Sequence, residues 1–203
     1  MTAFLEWNMG ILTVLAEHRT AILDWFFAAF TWLGSEYVVI VTVCLLFLCI
    51  DKRLGYRMAF VFFLSSALVQ GLKVLCRIDR PWVLAERDYP QYKDRYSPLE
   101  LLGSKSGATG YSFPSGHTCS AGTVYCLLML LDVFAVKSKG KRAVCWIAAI
   151  AYTGMVAVSR IIVGAHFFSD VLMGGTIAFV CMIISREIFI CKGANVKAMF
   201  GKE

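Results

Sequence analysis

Apolar residues run through this chain in long blocks. Tyr37–Ile50, Leu54–Cys76, Thr118–Val136, Ala143–Val158 and Val171–Cys191 are each nearly free of charge. A helix needs about 20 apolar residues to cross a membrane, and about 17 as a minimum. The second, third and fifth blocks reach that length alone; the first and fourth reach it with their flanks. Asp51-Lys52-Arg53 reads as a tight turn between the first two blocks. The polar stretch 82–113 holds Pro90, Pro98, Gly103, Gly107 and Gly110 and reads as a long loop with room for one short surface helix. Ahead of the first block, Phe4–Leu15 is interrupted by Glu6, Asn8 and Gly10, and Ala21–Leu33 by Asp24, with Glu17-His18-Arg19 between them. Neither half is long enough to cross. An interfacial helix followed by a short helix tucked against the bundle is expected, with one crossing built from both halves as the alternative. The fold class is therefore an all-α polytopic membrane bundle of five to six transmembrane helices in a single domain. Its parts are the N-terminal helices (1–35), the bundle proper (36–191) and a basic tail (192–203).

Composition agrees with the pattern. With 59% hydrophobic and 17% charged residues and a mean hydropathy of +0.68, the chain is too apolar for an ordinary soluble fold. A net charge of +6 would suit a nucleic-acid partner in a polar chain. Here the basic residues crowd short connections instead, so a membrane is the expected partner and nucleic acid is not. Each crossing reverses direction, which puts Lys52, Arg53, Lys137, Lys139, Lys141, Arg142 and the tail lysines on one face. Short, densely basic segments mark that face as cytoplasmic. The opposite, outer face then gathers Lys73, Arg80, Ser115, His117, Arg160, His166 and Asp170. Of the eight cysteines, five lie inside apolar blocks, and none has metal-ligand spacing. They read as small packing residues. The first residues lack the basic-then-apolar pattern of a cleavable signal peptide.

Three stretches on the outer face carry chemistry. In Ser159-Arg160 to His166 to Asp170, the last two are four residues apart. On a helix they would share a face, letting the Asp170 carboxylate reach one imidazole nitrogen and aim the other at the space beside Arg160. That is nucleophile-plus-anion-binding equipment; the plainer alternative is a His–Asp pair tying two membrane helices together. Lys73, Arg77 and Arg80 fall three or four residues apart and can share one helical face, as an anion site or as cations marking the headgroup level. Pro114-Ser115-Gly116-His117 opens the third block, with Ser115 suited to N-capping and Gly116 to close backbone approach. A helix N-terminus of this kind is an anion site, and His117 there could protonate a leaving oxygen; the alternative is a plain cap. No carboxylate cluster suits Mg²⁺ or Ca²⁺, and two histidines without cysteines suit Zn²⁺ poorly. No metal and no cofactor are expected.

These stretches resemble the signature of the type-2 phosphatidate phosphatase superfamily of membrane lipid phosphatases. Its motifs K-x6-R-P, P-S-G-H and S-R-x5-H-x3-D stand here as Lys73-VLCRID-Arg80-Pro81, Pro114-Ser115-Gly116-His117 and Ser159-Arg160-IIVGA-His166-FFS-Asp170. The resemblance implies a helical bundle with its site at the outer membrane surface. It implies that His166 attacks phosphorus, that Asp170 orients it, and that His117 protonates the leaving group. Lys73, Arg80, Ser115, Gly116 and Arg160 would hold the phosphoryl oxygens. Many members have six spanning helices, and this N-terminus lacks a clear first one. The expected substrate is a lipid phosphate or diphosphate of the undecaprenyl diphosphate, phosphatidylglycerol phosphate or phosphatidic acid class, in a bacterial cytoplasmic membrane. The competing readings are a vanadate-dependent haloperoxidase and a non-catalytic lipid binder or transporter with an inherited anion pocket.

Overall fold

The computed structural model describes residues 2–88, 110–123 and 139–192. Within them every regular element is helical: α1 (Thr2–Glu17), α2 (Ala21–Leu33), α3 (Glu36–Leu45), α4 (Lys52–Cys76), α5 (Pro81–Arg87), α6 (116–123), α7 (Lys139–Ile162) and α8 (Phe168–Arg186). Wider-turned π segments extend α3 through Leu46–Ile50 and α8 through Glu187–Lys192. Local chemistry sets the boundaries. Thr20 caps α2 by accepting the Leu23 N–H at 3.4 Å, and Asp51 starts α4 by accepting the Arg53 N–H at 2.7 Å. Pro81 opens α5 at a position where a missing N–H costs nothing.

Among the described residues, three stretches are long and apolar enough to cross a membrane: Lys52–Arg87, Lys139–Ile162 and Phe168–Phe189. They correspond to the second, fourth and fifth apolar blocks. The third block is described only in its first turns, α6; residues 124–136 lie outside the described residues, as do 89–109 of the long loop and 193–203 of the tail. The N-terminal region forms two separate helices, and α2 packs against α7. The helix Ala21–Leu33 and the stretch Glu36–Ile50 form a pair bent by 48°, with the geometry of a broken crossing or a re-entrant loop. The bend is fastened to α7. Tyr152 donates its hydroxyl to Leu33 O at 2.7 Å, Thr31 donates to Ser159 Oγ at 3.0 Å, and Gly34 lies so close to Val156 that a Cβ would overlap its side chain.

Large apolar side chains such as Ile22, Leu48, Leu75, Ile147 and Leu172 point outward, whereas Arg80, Ser112, Ser115, Arg160, His166 and Asp170 are buried. Apolar outside and polar inside suits a bundle in lipid. The buried polar residues gather at one end, where α4 and α7 finish and α6 and α8 begin. Beneath them Met9, Leu12, Leu84, Ile161, Phe167 and Val171 form an apolar cluster that joins α1, α5, α7 and α8. The opposite end is tied by Arg57, which donates to Phe189 O at 3.5 Å. The basic connections 51–53 and 139–141 therefore lie away from the polar cluster, as the alternation of crossings requires.

Candidate active site

The site is built on the corner between α7 and α8. α7 continues to Ile162, one turn beyond the expected end at Val158, and stops because Gly164 adopts a left-handed conformation (φ 76°). Gly164 N–H reaches Ile161 O at 2.9 Å and Ala165 N–H reaches Arg160 O at 3.1 Å, the bond pair of a Schellman cap. His166 N–H also reaches Arg160 O, at 3.3 Å. His166 thus sits in the turn and not on a helix, a correction to the expected helical (i, i+4) face. Its meeting with Asp170 comes from the corner instead. Asp170 is the third residue of α8, and its Oδ2 accepts the Phe167 N–H at 3.0 Å. A carboxylate in the first turn satisfies an orphan donor and suits the helix dipole.

The His166–Asp170 pair is less direct than expected. Nδ1 and Oδ2 lie 3.4 Å apart, and a third group joins them. Ser112, fully buried, donates its hydroxyl to Asp170 Oδ2, and its Oγ is 3.3 Å from His166 Nδ1. Sequence reasoning missed Ser112. It stands 54 residues from His166, outside the P-S-G-H run, with no spacing to announce it.

Arg80 approaches from the start of α5. Its Nε donates to Gly110 O and its Nη1 to Ala165 O, both at 3.1 Å, with Nη1 3.5 Å from His166 Nε2. Its guanidinium lies over the Trp82 ring, 5.4 Å from the centroid. Arg77 does not join it. α4 ends at Cys76, and Arg77 takes a left-handed conformation (φ 50°), exposed, with its Nε donating to Val74 O at 3.1 Å. The expected three-cation face is therefore replaced by Lys73 and Arg80 alone. Lys73, on the last turn of α4, lies in the field of Arg80, Arg160 and Asp170.

Ser115 caps α6, accepting from Thr118 N–H at 3.4 Å and from the Thr118 hydroxyl at 3.1 Å. Its own N–H donates to Asp170 O at 2.9 Å, which fastens the start of α6 to α8. The two helices touch closely there, and a Cβ on Gly174 would overlap Ser115 O. The first N–H groups of α6, at Gly116 and His117, have no partner within their own helix. The His117 ring is half-buried, in the field of Arg160, His166, Arg80 and Lys73.

Arg160 is 2% exposed, and its Nε has no hydrogen-bond partner among the described residues. Ser159 beside it serves the scaffold, accepting from Thr31 and donating to Val156 O at 2.7 Å. Burial, and then Arg160, Arg80 and Lys73, hold the His166 imidazole well below its usual titration range, so it is neutral at pH 7. Among the described residues no three His, Cys, Asp or Glu side chains gather as a metal site would require. The arrangement is a neutral, oriented imidazole in a cationic pocket at a helix N-terminus, which can attack an anionic electrophile.

A family model for the PAP2 superfamily matches residues 54–190, which include every one of these side chains. The chain belongs to the PAP2 superfamily. The resemblance read from its three motifs is thereby borne out, and two PAP2-like relatives align with it. It is 33% identical over 127 residues to phosphatidylglycerophosphatase B of Bacillus subtilis (strain 168), covering 62% of this chain and 53% of that protein. The chain thus spans about half the length of that relative. It is 25% identical over 182 residues to undecaprenyl-diphosphatase of Sulfolobus acidocaldarius, covering 89% of this chain and 78% of that one. Among solved structures, Aquifex aeolicus LpxE superposes with a TM-score of 0.66 at 26% identity, over 89% of this chain and 95% of that one. The PAP2-type phosphatidylglycerolphosphate phosphatase from Bacillus subtilis superposes with a TM-score of 0.76 at 22% identity, over 93% and 87%, a likeness of fold.

Proposed function

We propose that this PAP2 chain is an integral-membrane phosphatase of lipid phosphates or diphosphates, acting through a phosphohistidine. The observation that carries the reading is Arg160. A buried guanidinium with a donor unpartnered among the described residues is costly in a free protein. A phosphoryl group in the neighbouring space would satisfy it, along with Lys73, Arg80, Ser115 and the N–H of Gly116.

The chemistry then follows from the geometry. His166 Nε2 attacks phosphorus in line with the ester or anhydride oxygen. The P–O bond breaks as P–N forms. Burial and then Arg160, Arg80 and Lys73 keep His117 neutral in the free protein; the bound phosphoryl dianion offsets that field, so His117 carries a proton in the complex and gives it to the departing oxygen. The positive charge developing on His166 lies beside Asp170. In the second step His117, now neutral, takes a proton from water as the water oxygen bonds to phosphorus. The P–N bond breaks, inorganic phosphate leaves, and both histidines return to their starting states. Arginine, lysine and backbone N–H groups supply the electrostatic stabilisation of the transferred group.

The three candidate substrate classes are undecaprenyl diphosphate, phosphatidylglycerol phosphate and phosphatidic acid. The names of the relatives support the first two. The setting we favour is a bacterial cytoplasmic membrane with the site outward, because the basic connections lie at the other end of the bundle. A membrane-impermeant thiol reagent on a single cysteine in the 82–113 loop, in an otherwise cysteine-free variant, should label intact cells; labelling only after permeabilisation would reverse the orientation. We read residues 1–203 as one phosphatase unit, with 36–191 as its catalytic bundle.

The test of the reaction is phosphate release by purified protein in detergent, with EDTA present, across a panel of lipid phosphates and diphosphates. Turnover that survives the chelator is expected, and the rank order identifies the substrate. Loss of turnover in EDTA with recovery on adding Mg²⁺ would overturn the metal-free mechanism.

A further inference from the structure

We propose that Ser112 is a positioning residue for this reaction, a buried hydroxyl through which Asp170 fixes the tautomer of His166; this rests on the phosphatase reading above. The hydroxyl has one hydrogen, and it points at Asp170 Oδ2, a carboxylate that only accepts. What faces His166 Nδ1, 3.3 Å away, is therefore an oxygen lone pair, and Nδ1 must carry the proton. The other side of the ring requires the same tautomer. Arg80 Nη1, 3.5 Å from Nε2, has only hydrogens to offer, so Nε2 presents its lone pair. Two neighbours from different elements thus leave Nε2 as the nucleophile.

Asp170 alone would hold the ring less well. At 3.4 Å its Oδ2 lies beyond the usual range of a strong N–H···O bond, and its oxygens already accept from Phe167 N–H and Ser169 Oγ. Ser112 is itself anchored, its N–H donating to Ile78 O at 2.7 Å, so the hydroxyl is set by the connection between α4 and α5. As Nε2 bonds to phosphorus, positive charge spreads to Nδ1–H. The bond from Nδ1–H to Oγ strengthens, and with it the bond from Oγ–H to the carboxylate. No proton changes owner.

The experiment is a double-mutant cycle in full-length protein, with Ser112→Ala, Asp170→Asn and the pair, on a substrate that wild type turns over. Ser112→Ala should lower kcat about 10- to 100-fold, the loss of a hydrogen bond to a charged network. KM should change by no more than about 3-fold, because uniform substrate binding is left intact. The double variant should be little slower than Asp170→Asn alone, since both changes cut the same relay. Ser112→Cys, which keeps a weak donor of similar size, should fall between wild type and Ser112→Ala. Thermal unfolding in detergent checks that each variant is folded. Wild-type kcat in Ser112→Ala, a change confined to KM, or losses that multiply in the double variant would each overturn the role. An inactive wild type would instead sink the phosphatase reading.

Discussion

The two corners that carry the site arginines are made in different ways. Between α7 and α8 the chain turns on Gly164 and caps α8 with Asp170, so local backbone rules alone deliver Arg160, His166 and Asp170 to one spot. Between α4 and α5 it turns on Arg77, a non-glycine residue at positive φ, and Arg80 is held from outside, by Gly110 O and Ala165 O. The first corner is self-sufficient in its backbone turn and keeps a cation whose Nε has no partner among the described residues. The second is a clamp, whose cation joins three segments of chain. Arg160 should thus matter to function and little to stability, and Arg80 to both.

The largest effect belongs to the first corner. His166→Ala should lower kcat on the order of 10⁴-fold or more with the fold intact, as loss of a nucleophile does. Phosphate release and thermal unfolding measure the two halves of that statement, and an unfolded variant would show that the corner is not self-sufficient. The arginines come next. Arg160→Met should lower kcat/KM about 10²- to 10³-fold while thermal stability holds or rises, because an uncompensated buried charge is removed. Arg80→Met should lose comparable activity and also about 1–3 kcal/mol of stability, for the carbonyl ties it breaks. Equal stability changes in the two variants would erase the distinction between the corners.

Smaller effects test the turns. Gly164→Ala places a side chain where φ is positive and should cost about 1–2 kcal/mol, with a fall in kcat as His166 shifts. Arg77→Gly relieves the same strain at the other corner. It should leave kcat unchanged and raise stability by at most about 1 kcal/mol, read as a small rise in the unfolding midpoint.

A pH series separates electrostatics from shape. The His166 imidazole is held low by its burial and by Arg160, Arg80 and Lys73. Asp170 and Ser112 face its Nδ1 side, and His117 lies close enough to feel its charge. The free enzyme should therefore keep a neutral nucleophile below about pH 6.5, the usual imidazole midpoint. The acid limb of kcat/KM due to His166 should lie beneath that value. For stability the sign is fixed by proton count. Below about pH 6.5 the unfolded chain binds a proton that folded His166 refuses, so this contribution is full above that pH and fades as pH falls through the folded value. An acid limb that stayed at the ordinary imidazole midpoint would mean that the cations do not reach His166.

Much of the site was legible because its residues keep fixed distances along the chain. Arg160, His166 and Asp170 lie within one corner, and Pro114 to His117 are contiguous at a helix start. Gly164 was a legible stop signal as well, two residues before His166, and reading it as a helix cap would have moved the histidine off the helix. Arg77 does not share a face with Lys73 and Arg80, because three- and four-residue spacing implies a shared face only while the helix lasts, and α4 ends at Cys76. Ser112 was beyond reach, since its partners are 54 and 58 residues away and no periodicity relates them. The bend at Gly34 and Ser35 was equally hidden. It depends on Val156, Ser159 and Tyr152 of a helix more than a hundred residues later.

The most direct measurement of the central claim is trapping of the covalent intermediate. Purified protein would be mixed with a lipid phosphate carrying ³²P in its terminal phosphoryl group and quenched in alkali on the millisecond scale, since phosphohistidine survives base and is lost in acid. Label on the intact wild-type chain, released by acid and absent from His166→Ala, is the expected result. Steady turnover from an unlabelled chain, or label that persists in His166→Ala, would contradict it.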